Sequence, residues 1–102
     1  KQILTPEKII HAVAEFYGIT TEDILGKSQS HEYTLPRQIS MFLCRQKMKM
    51  PYTQIGHFFH RDHSTVMSSV NNIMHKQSSE DKELQASLQM LSKKIDSQSD
   101  TF

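Results

Sequence analysis

The sequence predicts an all-α domain of six helices, and three observations support this class. Helix-start signals recur along the chain, apolar residues repeat every three or four positions after them, and no alternating strand pattern of useful length occurs. The chain has 102 residues, 36% hydrophobic and 23% charged, which is typical of one soluble globular domain. We assign residues 1–95 to that domain and expect residues 96–102 to form a disordered tail.

Each predicted helix begins at a residue that favours a helix start. The first five starts are Thr5-Pro6, Thr20 or Thr21, Pro36, Pro51 and Asp62. Gln77-Ser78-Ser79 is predicted to end the fifth helix and to cap the sixth. Gly18 and Gly26 are predicted to end the first two helices, and residues 27–35 are predicted to form a loop. The sixth helix carries an apolar stripe, which belongs either to the core or to a partner-binding face, with core favoured: Leu84, Leu88, Leu91 and Ile95.

Composition narrows the functional classes. The single cysteine, Cys44, rules out a disulfide framework within one chain and lies among apolar neighbours, so we expect it in the core of a protein in a reducing compartment. No apolar run approaches the roughly 20 residues of a membrane span, so this segment requires no membrane. Because the chain begins with Lys1 instead of Met, we expect a piece of something longer.

Positive charge is concentrated in the middle of the chain. The net charge is only +1, but residues 27–61 contain six Lys or Arg residues and a single acid, Glu32, whereas both ends are acidic. This distribution suggests a surface that faces a polyanion, although a solvated face is an equally good explanation from charge alone. The candidate phosphate contacts within this region are Arg37, Arg45, Lys47, Lys49, Arg61 and the backbone N–H groups around Tyr52 and Thr53. Lys27, in the predicted loop, and Gln38 are further candidate DNA contacts.

Residues 51–73 form the most informative stretch, predicted as two helices joined by a tight turn at His60-Arg61. Short polar side chains open the second helix, and they are candidates for hydrogen bonds to base edges in a DNA major groove. We call them the reading residues: Asp62, His63, Ser64, Thr65 and Ser68. Asp62 is also expected to cap this helix, and spacing alone leaves an ordinary capped helix as an equal alternative.

Other chemistry finds little support. His57, His60 and His63 form an HxxHxxH run, but a helix followed by a tight turn scatters these rings, so zinc is not expected. No paired carboxylates or nucleophile–base spacing stands out, and three glycines cannot supply a phosphate loop. We therefore predict a binding domain without a catalytic or metal site.

A resemblance sharpens this interpretation. Arg61-Asp62-His63-Ser64-Thr65-Val66, with Ile55-Gly56 before it and Pro36-Arg37-Gln38 upstream, resembles the C-terminal DNA-binding domain of the bacterial replication initiator DnaA. The Thr-Pro-Glu-x-Ile-Ile opening and the Glu-Phe-Tyr-Gly-Ile-Thr segment also fit, and the resemblance covers roughly residues 5–95.

The resemblance implies a helix-turn-helix of the Trp-repressor type that binds the double-stranded, nine-base DnaA box at a replication origin. By motif, residues 62–65 would read bases, Arg37 and Gln38 would lie near the DNA, and Arg45 would contact phosphate. The family binds ATP through a separate AAA+ module, so no cofactor is expected in this domain. A monomer in the bacterial cytoplasm, associated with the nucleoid and open to initiator regulatory proteins, is also implied.

Two departures from the family pattern stand out. The family has Gly-Gly before Arg-Asp-His, but here Phe59-His60-Arg61 leaves the turn one residue shorter. The corresponding loop of the family is arginine-rich, but this chain has Gln29 and His31 where arginines are common. Its contacts with the DNA minor groove should therefore be weaker. Two alternatives therefore accompany DNA-box recognition: a helix-turn-helix transcriptional regulator, and a protein-interaction module with weakened DNA binding.

Overall fold

The computed structural model describes residues 3–99 and contains, over that range, six α-helices and no β-strand. Their bounds are α1 Pro6–Tyr17, α2 Thr21–Leu25, α3 His31–Met48, α4 Tyr52–Phe59, α5 His63–Gln77 and α6 Lys82–Ser99. The predicted fold class is confirmed. Across the described residues, no helix combines the length and apolar character that crossing a membrane requires.

Local capping decides where the first two helices begin and end. The Thr5 hydroxyl accepts a hydrogen bond from the Lys8 N–H at 3.2 Å, and Gly18 closes α1 in the left-handed region at φ 68°. Thr20, not Thr21, caps α2, through a reciprocal capping box with Asp23. These bounds agree with the prediction because the determining interactions are short-range.

The predicted start of α3 is wrong. The helix begins at His31, five residues before Pro36, so most of the predicted loop is helical and only residues 26–30 connect α2 to α3. Pro36 cannot donate to the helix, but the Ser30 carbonyl accepts from the N–H groups of Tyr33 and Thr34 at 2.9 Å, which holds the first turn. Pro36 is also buried, so packing outweighs its helix-breaking tendency.

Helix α3 lies at the centre of the domain and packs against α1, α2, α4 and α5, while α6 closes the core against α1 and α5. The α6 stripe of Leu84, Leu88, Leu91 and Ile95 is buried, which confirms the core interpretation. The helix continues through the first four residues of the predicted tail to Ser99, and the remainder of that tail lies outside the described residues.

Cys44 lies in the core, as predicted. Burial raises the pKa of its thiol to about 12, with a smaller contribution from the charge of Glu7. The thiolate is therefore scarce at neutral pH, and the side chain serves as a small apolar group in the packing of α3.

Candidate nucleic-acid interface

The turn between α4 and α5 is a Schellman motif with histidine where glycine is usual. His60 adopts the left-handed conformation, φ 57° and ψ 46°, directly after α4. Its N–H donates to the His57 carbonyl at 3.3 Å, and the Arg61 N–H donates to the Gly56 carbonyl at 2.8 Å. The shorter turn noted in the sequence therefore closes regularly, at the cost of left-handed strain on a residue with a Cβ.

Gly56 is required by the way this turn folds back on α4. A Cβ at Gly56 would lie 2.5 Å from the Arg61 carbonyl oxygen, well inside van der Waals contact, and the nearest atom is backbone. The turn backbone therefore rests directly on α4 at this residue, which fixes where α5 begins relative to α4.

The reading residues lie together at the exposed start of α5. Asp62 is the N-cap residue, and Asp62, His63, Ser64, Thr65 and Ser68 are all exposed. The opposite side of the helix is buried through Val66, Ser69, Val70 and Ile73. The core therefore holds α5 in place while the polar first turn projects outward.

Asp62 occupies the N-cap position of α5, but its side chain does not cap the helix as predicted. Its side chain makes no bond to a backbone N–H of the first turn, and its Oδ2 instead accepts from the Ser64 hydroxyl at 2.6 Å. The Nδ1 of His63 lies 3.9 Å from the other carboxylate oxygen. The backbone N–H groups of this turn therefore have no side-chain cap and present a positive helix end to the outside.

Arg37, predicted to lie near DNA, is buried, with 4% of its surface exposed. Its guanidinium donates to three carbonyls: Ile24 at 2.6 Å, Ser28 at 2.9 Å and Asp23 at 3.1 Å. Burial, and secondly the charge of nearby Arg61, lowers the pKa of this guanidinium. Arg37 therefore anchors the end of α2 and the following loop to α3.

Arg61 extends the same anchoring to the turn. It is partly buried, and its guanidinium donates to the Phe59 carbonyl at 3.0 Å and to the Gly26 carbonyl at 2.6 Å. We refer to Arg37 and Arg61 as the inner arginines. Together their hydrogen bonds join residues 23–28 to α3 and to the turn before α5, so the α2–α3 loop is held next to the start of α5.

Two further residues predicted to contact DNA, Gln38 and Lys47, have hydrogen-bond partners within the domain. Gln38 accepts a hydrogen bond from the Asn72 side chain at 2.9 Å, which ties α3 to α5. Lys47 pairs with Asp96 of α6 at 3.0 Å and is only 15% exposed. Neither pairing is visible in the sequence, because the partners are 34 and 49 residues away.

Arg45 differs from the inner arginines because its side chain is exposed. The guanidinium lies 4.5 Å from the centre of the Tyr52 ring and donates to the Met50 carbonyl at 2.9 Å. Tyr52 and the exposed Thr53 open α4, whose N-cap, Pro51, offers no side-chain cap. A cation and free backbone N–H groups therefore converge at one helix start, an arrangement suited to a phosphate.

The α2–α3 loop borders the turn through the bond between Arg61 and Gly26. Lys27, Ser28, Gln29 and Ser30 are exposed, and Lys27 is the only basic residue among them. His31, assigned to this loop from the sequence, belongs to the first turn of α3. Among the described residues, no group of three or more His, Cys, Asp or Glu side chains could hold a metal ion.

An exposed helix start that follows a tight turn and rests on a second helix defines the helix-turn-helix class of domain. Residues 6–73 match the family model described as "Bacterial dnaA protein helix-turn-helix", and the chain belongs to this family.

Relatives with the same family name cover most of this chain. This chain is 54% identical over 95 residues to the chromosomal replication initiator protein DnaA 2 of Protochlamydia amoebophila, and the match covers 93% of this chain and 21% of that protein. It is 59% identical over 73 residues to DnaA 2 of Chlamydia caviae, covering 72% of this chain and 16% of that protein. The chain thus spans about a fifth of the length of these relatives.

A solved structure shares the fold. The crystal structure of a DNA replication initiation factor superimposes with a TM-score of 0.79 at 24% identity, covering 92% of this chain and 30% of that chain. The fold of this domain is therefore shared with part of that chain.

Proposed function

We propose that this domain binds double-stranded DNA and recognises a nine-base-pair site of the DnaA-box kind. The observation that carries the proposal is the start of α5, where four consecutive polar residues, Asp62 to Thr65, are exposed above a buried apolar side. An α-helix fits the major groove, and side chains of its first turn reach base edges there.

In this proposal, base readout and phosphate contact are divided between different residues. His63, Ser64 and Thr65 donate to or accept from base edges, the Thr65 methyl packs on a thymine methyl, and Asp62 accepts from a cytosine amino group. Arg45, the free N–H groups at Tyr52 and Thr53, and Lys27 bind phosphates and set the register. Arg37 and Arg61 support this surface from within.

The proposed role is that of the DNA-binding part of a bacterial chromosomal replication initiator, acting as a monomeric domain on the nucleoid. Its contribution is binding and not catalysis, and ATP belongs to an AAA+ module elsewhere in such an initiator. Occupancy of the replication origin in cells separates this role from that of a transcriptional regulator, which would occupy promoters.

The test compares two histidine variants on the same helix. His63→Ala should weaken binding to a DnaA-box duplex by about 1–3 kcal/mol and reduce preference over a scrambled duplex. His75→Ala, in the last turn of α5, is the matched control and should bind like the parent. Fluorescence anisotropy at fixed salt measures both, and Thr65→Ala should behave as His63→Ala does.

Three results would contradict the proposal. Equal affinity of the parent for box and scrambled duplexes would remove sequence recognition, and absence of duplex binding would favour the protein-interaction module. If His63→Ala and Thr65→Ala both retain the parent's preference, α5 is not the reading element.

A further inference from the structure

We infer that Met67 is a specificity residue, which recognises the methyl group of one thymine in the bound site. This inference rests on the proposed function and adds to it a second apolar contact, besides the thymine methyl already assigned to Thr65. Its starting point is an exposed methionine beside those residues: 40% of the Met67 surface is accessible, although Val66 and Val70 on the same helix are buried.

Helical spacing places Met67 on the proposed DNA-facing side. It follows His63 by four residues and Ser64 by three, so its side chain neighbours both on the helix surface. Side chains on a helix lean towards its N-terminus, so Met67 extends over the first turn, where the reading residues lie. Asn71, one turn further on, is also exposed, so Met67 sits within a polar, accessible strip.

The chemistry of that strip makes Met67 distinctive. His63, Ser64 and Ser68 supply hydrogen-bonding groups, and within the first two turns of α5 Met67 is the large apolar side chain that the structure leaves exposed. In the major groove, the C5-methyl group of thymine is the feature that only an apolar group can recognise. An unbranched thioether side chain is flexible enough to reach it and pack against it.

Met74 provides an internal comparison. It is also exposed, at 52%, but lies two turns beyond Met67, towards the end of α5 that is farthest from the turn. A helix entering the groove by its N-terminal turn brings Met67 close to base edges and leaves Met74 outside. Exposure of the two methionines is similar, so position along α5 is what separates them.

The experiment removes single methyl groups from the DNA. In a DnaA-box duplex, each thymine in turn is replaced by deoxyuridine, which lacks only the C5-methyl group, and affinity is measured for the parent, Met67→Ala and Met74→Ala. For the parent, we expect two replacements to weaken binding about fourfold each, one at the thymine that packs on the Thr65 methyl and one at the thymine that packs on Met67, because each removes one buried carbon group. Met67→Ala should bind the unmodified duplex about fourfold or more weakly, show no further loss at the thymine assigned to Met67, and keep the loss at the thymine assigned to Thr65.

The same affinity measurements on the parent and the two variants provide the control and the results that would contradict the inference. Met74→Ala should reproduce the parent's full deoxyuridine profile. If Met67→Ala also reproduces that profile, while the parent still prefers the box to a scrambled duplex, the inference is overturned and the proposed function stands. If the parent shows no preference for the box, the proposed function and the inference fall together. Because Met67 is exposed and Ala favours helix, thermal unfolding should show both variants folded.

Discussion

On the inner side of the helix-turn-helix, Arg37 and Arg61 direct their guanidinium groups at backbone carbonyls of residues 23–28 and of the turn. On the outer side, His63, Ser64 and Thr65 are exposed and make no hydrogen bond to the body of the domain among the described contacts. Both sides are polar, but the inner side is fully occupied within the protein and the outer side remains available to a ligand.

This difference shows that a basic segment and a basic surface are separate properties. Of the six cations between residues 27 and 61, Arg37 is buried, the partly buried Arg61 donates to backbone carbonyls, and Lys47 is paired with α6. The other three, Lys27, Arg45 and Lys49, are exposed. Inner-side variants should therefore change the free energy of unfolding, and outer-side variants should change DNA affinity at nearly constant stability.

The largest expected effect is on the inner side, at Arg37. Arg37→Ala removes three hydrogen bonds and leaves the buried Ile24 carbonyl without this donor, so it should lower the free energy of unfolding by about 3 kcal/mol. Arg45→Ala on the same helix is the matched control and should cost about 0.5–1 kcal/mol, the loss of its contact with Tyr52. Urea denaturation measures both. A fully stable Arg37→Ala with a flatter salt dependence of DNA binding would instead make Arg37 a phosphate contact.

Gly56 tests whether the turn must rest on α4. Gly56→Ala places a Cβ 2.5 Å from the Arg61 carbonyl oxygen, so the turn must shift, and we expect a loss of about 2 kcal/mol in unfolding free energy. Gly18→Ala is the control: its Cβ meets nothing within 4 Å, and only its φ of +68° opposes the change, at about 1 kcal/mol. Calorimetry on the two variants gives the comparison, and equal losses would show that the close approach at Gly56 relaxes freely.

On the outer side, variants of Arg45 and Lys47 should differ in how their DNA affinity depends on salt concentration. Arg45→Ala should weaken binding to box and scrambled duplexes alike and reduce the slope of log affinity against log salt by about 0.9. Lys47→Ala should leave that slope unchanged, because Lys47 is paired with Asp96. Titrations at several salt concentrations measure the slopes, and the reverse pattern would exchange the roles assigned to the two residues.

The smallest expected effect is a gain at the turn itself. His60→Gly removes the strain of a left-handed residue and should stabilise the domain by about 0.5–1 kcal/mol. His57→Gly, within α4, should destabilise it by about 1 kcal/mol because glycine is a poor helix former. Thermal unfolding of the two variants measures both changes in stability. A destabilising His60→Gly would mean that the imidazole makes contacts that outweigh the strain.

The sequence predicts most of this fold where the determining contacts are local. Thr5, Gly18 and Pro51 act within a few residues, and the helices they bound were placed correctly. The start of α3 is not predictable in this way, because Pro36 is a strong local signal for a helix start, while the packing that overrides it involves α2.

The candidate site was predictable to a different degree. The role of the reading residues stays a prediction: Asp62 to Thr65 form one consecutive motif at a helix start, Ser68 lies one turn further on, and the structure leaves all five exposed. The direction of the arginines was not predictable: Arg37 bonds to carbonyls 9–14 residues away, and Arg61 to one 35 residues away. The sequence gives no sign that Met67 is exposed, because an apolar residue in a helix ordinarily belongs to the core.

Selection from a random pool of duplex DNA tests the central claim most directly, because it assumes no site. The account predicts that the parent chain enriches one nine-base-pair motif resembling the DnaA box and that His63→Ala enriches a more degenerate version of it. A pool that converges on no common motif, or a motif that is identical for the parent and for His63→Ala, would contradict recognition through the start of α5.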